Sequence, residues 1–321
     1  MIGSLWKLAR PQQWSKNLLC FAGVIFSGRF LELEHVVHAI LVAVAFCAGS
    51  SAIYVLNDLI DRERDRQHPK KRERPLARGD VSPAAAGILG LSLAVLALWG
   101  TWQLNYETFL CLAILLVINL AYSTVLKHVV LLDVLCIASG FVLRLLAGIY
   151  AVDDQPTTWI TLCTFFLAMF FGFSKRRGEL QALRESEAES RPVLESYSID
   201  YLDNLLNSAA TITILCYALF TVASGKNPAL ILTLPLVYYG VMRYQRIIST
   251  TEAVEEPERA VFADLRILLA FVVWLATYLI IERWDPQIFA SPPAAESPTS
   301  AAAPLETSPP AASPDKAPAV E

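Results

Sequence analysis

The chain has 321 residues, of which 55% are hydrophobic, with a mean hydropathy of +0.46 and a formal net charge of -4. This excludes an ordinary soluble domain and implies an integral membrane protein, because apolar runs recur at lengths that cross a bilayer. The net charge averages an acidic tail with basic loops and says little about partners; membrane lipids are expected among them and nucleic acid is not.

The spacing predicts nine spans, at about 17–34, 36–57, 82–102, 107–126, 130–151, 157–174, 205–224, 228–248 and 261–282. The first is interrupted by Gly23, Gly28 and Arg29. A signal peptide is the alternative there, disfavoured because Arg10, Lys16 and the polar run PQQWSKN stand where an apolar core belongs. Basic residues crowd the loops after spans two, six and eight, while the opposite loops hold little beyond Arg29 and Lys226. The positive-inside rule then puts the N-terminus and the basic loops in the cytoplasm and sends the C-terminus across a bacterial inner membrane. The expected organisation is a catalytic membrane domain over 1–284 and a disordered Pro/Ala/Ser-rich tail over 285–321. Cys20, Cys47, Cys111, Cys136, Cys163 and Cys216 lie singly, without CxxC spacing, and read as small buried apolar residues.

One stretch carries chemistry. Span two runs into NDLIDRERDRQHPKKRERPLARG, residues 57–79. If its helix continues, Asp58, Asp61 and Asp65 fall at i, i+3 and i+7, with Asn57 four residues before Asp61, so all four share a side. Carboxylates on one face repel unless a cation neutralises them. An oxygen-only set beside phosphate suits Mg²⁺, with Mn²⁺ as a substitute, so Asn57, Asp58, Asp61 and Asp65 form the candidate metal set. The plain alternative is a solvated helix end whose acids pair with Arg62, Arg64 and Arg66. Arg62, Lys70, Arg72, Arg74 and Arg78 are candidates to bind phosphate oxygens or, equally, to mark topology and touch anionic lipid.

NDLIDRERD resembles the NDxxDxxxD signature of the UbiA superfamily of intramembrane prenyltransferases. The resemblance covers the chain to about residue 282. It implies an all-α polytopic membrane protein, nine transmembrane helices in a bundle with a cytoplasm-facing cavity, and a diphosphate substrate bound through Mg²⁺. The aromatic prenyltransferases of the superfamily carry a second acidic motif after span six. Here that loop reads GFSKRRGELQALRES, with Lys175, Arg176 and Arg177 where acids are expected. RPQQWSKN at 10–17, the segment 121–148 beginning AYSTVLKHVVLLD, KRRGEL and EEPERAVFADLR resemble instead the branch that transfers 5-phosphoribose from phosphoribosyl diphosphate (PRPP) to a polyprenyl phosphate. The first rival is an aromatic polyprenyltransferase of the same superfamily; the rival of another class is a membrane transporter.

The resemblance also weights single residues. Asp58, Asp61, Tyr122 and Lys127 are the expected catalytic residues; Lys16 and Asn17 are expected at substrate phosphate. Asp133 and Arg144, eleven residues apart on one helix face, are expected to line the cavity, against the alternative of a structural ion pair or a snorkelling side chain, since an arginine that deep in a span is costly without a purpose. Lys175, Arg176 and Arg177 are the candidates for the lipid phosphate, against the alternative that they anchor span six. The nucleophile is already an anion, so no strong general base is needed, and none of His35, His38, His68 and His128 is assigned a catalytic role. Homo-oligomerisation is left open.

Overall fold

In lipid no water satisfies backbone amides, so a chain this apolar must satisfy them internally, as helices or a closed barrel. The computed structural model describes residues 2–68, 71–185, 194, 196–250 and 263–289, and all regular structure among them is helical. In order come α1 (Ile2–Leu8), a 3-10 stretch Pro11–Phe21, α2 (Ala22–Phe26), α3 (Leu33–Ile60), α4 (Arg62–Gln67), α5 (Pro75–Arg78), α6 (Pro83–Trp102) and α7 (Tyr106–Thr124). They are followed by α8 (Leu132–Tyr150), α9 (Thr158–Glu185), α10 (Ile199–Ala223), a 3-10 stretch Pro228–Thr233, α11 (Leu234–Thr250) and α12 (Leu265–Trp284). Helix starts follow local chemistry: Ser82, Asn105, Ser198 and Asp264 accept from the first-turn amides of α6, α7, α10 and α12.

Among the described residues seven helices, α3, α6, α7, α8, α9, α10 and α12, are long and apolar enough to cross a membrane. The expected count of nine is therefore modified at two places. Pro11 opens a 3-10 stretch instead of a long helix, and α2 ends after five residues where Ser27 leads into Gly28 at φ +74°. Between 228 and 250 the first six residues are again 3-10, leaving α11 with 17 residues that include Arg243 and Arg246. Both stretches still run between the two ends of the bundle. Arg10 meets Asp58 at one end and Arg29 donates to the Val152 carbonyl at the other (2.7 Å). Asn227 meets Asp285 (2.7 Å), and Arg243 meets Asp264 (2.7 Å) at the end where Arg10 lies.

Strict alternation of direction collects the C-terminal ends of α3, α7, α9 and α11 and the N-terminal ends of α6, α8, α10 and α12 at one end of the bundle. The outward faces are apolar, as lipid requires: Ile88, Leu91, Leu96 and Trp99 of α6 and Leu265 and Phe271 of α12 are exposed. All six cysteines are free thiols, and Cys20, Cys111, Cys163 and Cys216 are buried.

The first stretch is locked to α8 by glycine. A Cβ on Gly23 would lie 2.0 Å from the Gly148 carbonyl oxygen, and one on Gly148 would lie 2.0 Å from that of Cys20. These obstacles are backbone atoms, which cannot rotate away as a side chain can. Gly148→Ala is expected to cost more than the ~1–3 kcal/mol of ordinary overpacking. The check is the thermal midpoint of the purified protein in detergent; a midpoint within a degree of wild type would contradict the close approach. The tail beyond Phe289, Lys70 and the EEPER segment lie outside the described residues.

Candidate active site

α3 stops at Ile60 because Asp61, at φ -87° and ψ 1°, leaves helical geometry, and α4 resumes at Arg62. The backbone ladder nevertheless bridges the break: the Asp61 amide reaches the Asn57 carbonyl (2.9 Å) and the Asp65 amide reaches that of Asp61 (2.8 Å). Asp58 and Asp65 thus turn to the same interior side, each 2% exposed, while Asp61 is half-exposed at the kink. Carboxylates so buried need partners. Arg74 supplies one guanidinium to both, Nη1 donating to Asp65 Oδ2 (2.6 Å) and to Asp58 Oδ1 (3.2 Å). Arg10 donates to the same Asp58 Oδ1 at 2.5 Å and lies over the Tyr54 ring, 5.1 Å from its centroid.

Beside them, the Asn57 side-chain oxygen is buried with no hydrogen-bond partner. An orphaned neutral acceptor next to paired carboxylates is a cation ligand in waiting. Among the described residues no three His, Cys, Asp or Glu side chains converge as a ready metal cage. Of the expected set Asn57, Asp58, Asp61 and Asp65 the structure brings Asp58 and Asp65 together through Arg74; so open a set of oxygens could hold only an ion that takes part of its coordination from a substrate, which is the habit of Mg²⁺. Arg62 Nε is also buried without a partner, leaving a donor for an anion.

The other basic residues of this loop are placed differently. Arg72 lies exposed near Glu73 (3.9 Å), and Arg78 is shared between Glu73 (3.8 Å) and Asp80 (3.4 Å), so neither converges on the carboxylates. Lys16 donates to Gln13 (3.0 Å) on the first stretch.

Deeper in the bundle, Arg144 donates to Asn17 Oδ1 (2.7 Å), the Gly140 carbonyl (2.7 Å) and Ser50 Oγ (3.3 Å). These partners are all neutral. Asn17 in turn donates to Cys47 Sγ (3.2 Å), and both line a mainly apolar cavity of about 330 Å³ with Trp14, Leu18 and Ala43. Asp133 and Arg144 share a helix but not a site, since eleven residues separate them by about 16 Å along the axis. Asp133, fully buried, pairs instead with Arg176 Nε (2.6 Å).

Arg176 also pairs with Glu179 and is 1% exposed. Arg177 donates to Asp203 (2.6 Å), Gln181 (3.1 Å) and the Ile248 carbonyl (3.0 Å), tying α9 to α10 and α11. Arg176 and Arg177, expected at the lipid phosphate, are thus committed to protein partners. Their positive charges meet acids that lie far away in sequence. Lys175 is half-buried. Tyr122 and Lys127 lie half-buried at the end of α7 and in the turn that follows it.

Two residues escaped the sequence reading as site members. In the sequence Arg10 argues only against a signal peptide, although RPQQWSKN marks its segment. Tyr197 had no signal at all. Its hydroxyl accepts from the Leu131 amide (2.8 Å) and donates to Asp133 Oδ1 (3.3 Å), holding Leu131 at φ +68°. Burial, with Asp133 beside it, pushes the Tyr197 phenol up to about 12. The folded state therefore keeps a proton that the unfolded chain loses near 10, and this part of its stability is complete below pH 10 and lost as pH rises towards 12. The thermal midpoint of wild type is expected to fall over that window relative to Tyr197→Phe; parallel curves would refute the assignment.

The sequence model of the UbiA prenyltransferase family matches residues 18–267. A decaprenyl-phosphate phosphoribosyltransferase of Mycolicibacterium smegmatis is 33% identical over 292 residues, covering 86% of this chain and 92% of the relative. One of Corynebacterium glutamicum is 28% identical over 288 residues, covering 85% and 86%. Among solved structures, a UbiA homolog from Archaeoglobus fulgidus bound to GPP and Mg²⁺ superposes with a TM-score of 0.66 at 21% identity, covering 87% of this chain and 99% of that one.

Proposed function

The chain belongs to the UbiA prenyltransferase family, and from that premise we propose that it transfers 5-phosphoribose from PRPP to a polyprenyl phosphate, releasing diphosphate. The observation that carries this choice of branch is the likeness to the Mycolicibacterium smegmatis phosphoribosyltransferase at 33% identity over nearly the whole of both chains. The geometry is compatible with it. Where an aromatic prenyltransferase needs acids after α9, the acids nearby, Asp133 and Asp203, are already tied to Arg176 and Arg177.

In this reading residues 1–284 form the catalytic membrane domain, with the N-terminus and the site on the cytoplasmic side, as the excess of Lys and Arg in those loops supports. Mg²⁺ held by Asn57, Asp58, Asp61 and Asp65 would neutralise charge on the departing diphosphate. Arg62 and Arg74 donate to diphosphate oxygens, which stabilises the charge that develops as the bond to the anomeric carbon breaks. Tyr122 and Lys127 flank the sugar, and the lipid phosphate oxygen attacks the anomeric carbon from the opposite face, inverting it. A phosphate anion brings its own lone pair, so no protein base is required. Asn17 lines an apolar cavity and accepts from the Arg144 guanidinium behind it, so a positive charge lies one residue from that cavity, a pairing suited to a phosphate that carries a hydrocarbon tail.

The test is a product assay in membranes containing the protein, with Mg²⁺, labelled PRPP and polyprenyl phosphate. A parallel tube holds polyprenyl diphosphate and 4-hydroxybenzoate. Label is expected in the lipid phase of the first tube only and is lost with a chelator. Prenylated aromatic product in the second tube, with no labelled lipid in the first, would overturn the choice of branch.

A further inference from the structure

Four charged groups close the candidate site. Arg10 and Arg74 supply two positive charges, Asp58 and Asp65 two negative ones, and both guanidinium groups donate to one oxygen, Asp58 Oδ1. The buried pair Asp58 and Asp65 is thus matched in charge without any metal, with the half-exposed Asp61 outside the pairing. A divalent cation arriving alone would meet two carboxylates whose charge is already neutralised, and it would sit against two guanidinium groups in a buried setting where repulsion is weakly screened. A diphosphate arriving with the cation reverses that balance, because it offers the arginines a new acceptor as the carboxylates turn to the ion.

The placement of Arg10 fits such an exchange. Its backbone is left-handed, at φ 51° and ψ 60°, directly before Pro11. It is held there from both sides: the Ser51 hydroxyl donates to the Ala9 carbonyl (2.8 Å), and Trp14 donates to Ser51 (3.0 Å). A non-glycine residue kept in that conformation is over-determined by its surroundings, a pattern that clusters at functional positions. The Arg10 guanidinium itself is less confined, since its side chain is 24% exposed and rests on the Tyr54 ring, a surface that stays available as the hydrogen bond is given up.

We propose that Arg10, together with Arg74, occupies the motif carboxylates in the absence of substrate and passes to the diphosphate when it binds, so that metal and diphosphate bind strongly only together. This rests on the reading of Asn57, Asp58, Asp61 and Asp65 as the metal set, and it adds Arg10 to the residues that touch substrate.

The test is Mn²⁺ binding to the purified full chain in detergent, read by equilibrium dialysis as Mn²⁺ retained with the protein, with and without inorganic diphosphate, a chamber without protein accounting for the Mn²⁺–diphosphate complex in solution. Wild type is expected to bind Mn²⁺ weakly alone and at least about tenfold more tightly with diphosphate. In Arg10→Gln, Mn²⁺ alone is expected to bind about tenfold more tightly than to wild type, while diphosphate adds much less. Arg64→Gln removes the same charge from an exposed side chain of α4 and is expected to change neither value by more than about twofold. Arg10→Lys, which keeps a positive charge, is expected to keep Mn²⁺ binding weak, and this guards against a misfolded glutamine variant. If Mn²⁺ binds wild type with diphosphate but Arg10→Gln matches wild type or Arg64→Gln, the inference fails while the metal site stands. If no variant binds Mn²⁺ under either condition, both fail.

Discussion

Asp58→Asn is expected to lower phosphoribosyl transfer on the order of 10³-fold while leaving the bundle folded. Asp58 is the carboxylate on which both arginines converge, and it is 2% exposed, so no water can stand in for it. The amide keeps its shape and can still accept from Arg74 or Arg10, but it brings no charge to a cation. The loss compares with removal of a major electrostatic group at a charge-developing centre. Asp61→Asn, at the half-exposed kink, is expected to cost less and to be partly recovered by raising Mg²⁺. The measurement is the initial rate of label entering lipid as a function of Mg²⁺ concentration, beside the thermal midpoint of each variant. An Asp58→Asn enzyme within threefold of wild type would remove the motif from the mechanism.

Asp133→Ala is expected to act on stability first, by about 3–5 kcal/mol, since it strips a buried guanidinium of its fully buried carboxylate partner. Arg176 is 1% exposed and would be left with Glu179 as its acid partner among the described residues. Replacing both members together, Asp133→Leu with Arg176→Met, is expected to recover most of that loss, because no uncompensated charge then remains. Unfolding of the three proteins in denaturant decides the point. If Asp133 instead serves the substrate, the single variant will be as stable as wild type with a raised KM for PRPP, and the double variant will be inactive without any recovery to explain.

These two residues show how differently one charge type is used at the same end of the bundle. Asp58 and Asp65 are held by arginines that arrive from the first stretch and from the loop before α5, both outside the long helices. Asp133 and Asp203 are held by arginines within α9, where the pairs tie three long helices together. Pairs on connecting segments can exchange partners without unpacking a helix, whereas pairs between packed helices cannot. That contrast separates the groups suited to ligand exchange from those suited to holding the frame.

Composition and the length of the apolar runs by themselves determined that this is a membrane protein crossing the bilayer several times, because a long apolar run permits few structures in lipid, and the resemblance carried by the motifs made the expected fold all-helical. Its seven long helices coincide with predicted spans to within a few residues, except that α3, α9 and α10 extend several residues beyond them at the polar end. The motif was legible in part for the same reason: helical repeat places Asn57, Asp58, Asp61 and Asp65 on one side, and Asp58 and Asp65 do meet on one guanidinium, but the break at Asp61 leaves that residue half-exposed. Two things were not legible. The first stretch and α11 depend on where proline, glycine and arginine interrupt an apolar run, and such interruptions shorten a helix without saying whether the chain still crosses. The partners of each charge were decided only by the tertiary structure. Arg10 reaches Asp58 across 48 positions, Arg144 reaches Asn17 across 127 and Tyr197 reaches Asp133 across 64. Sequence gives a charged residue its sign and its helix face, but helix packing chooses which of several opposite charges lies within 3 Å, and in a buried setting that choice decides whether a group binds substrate or holds the fold.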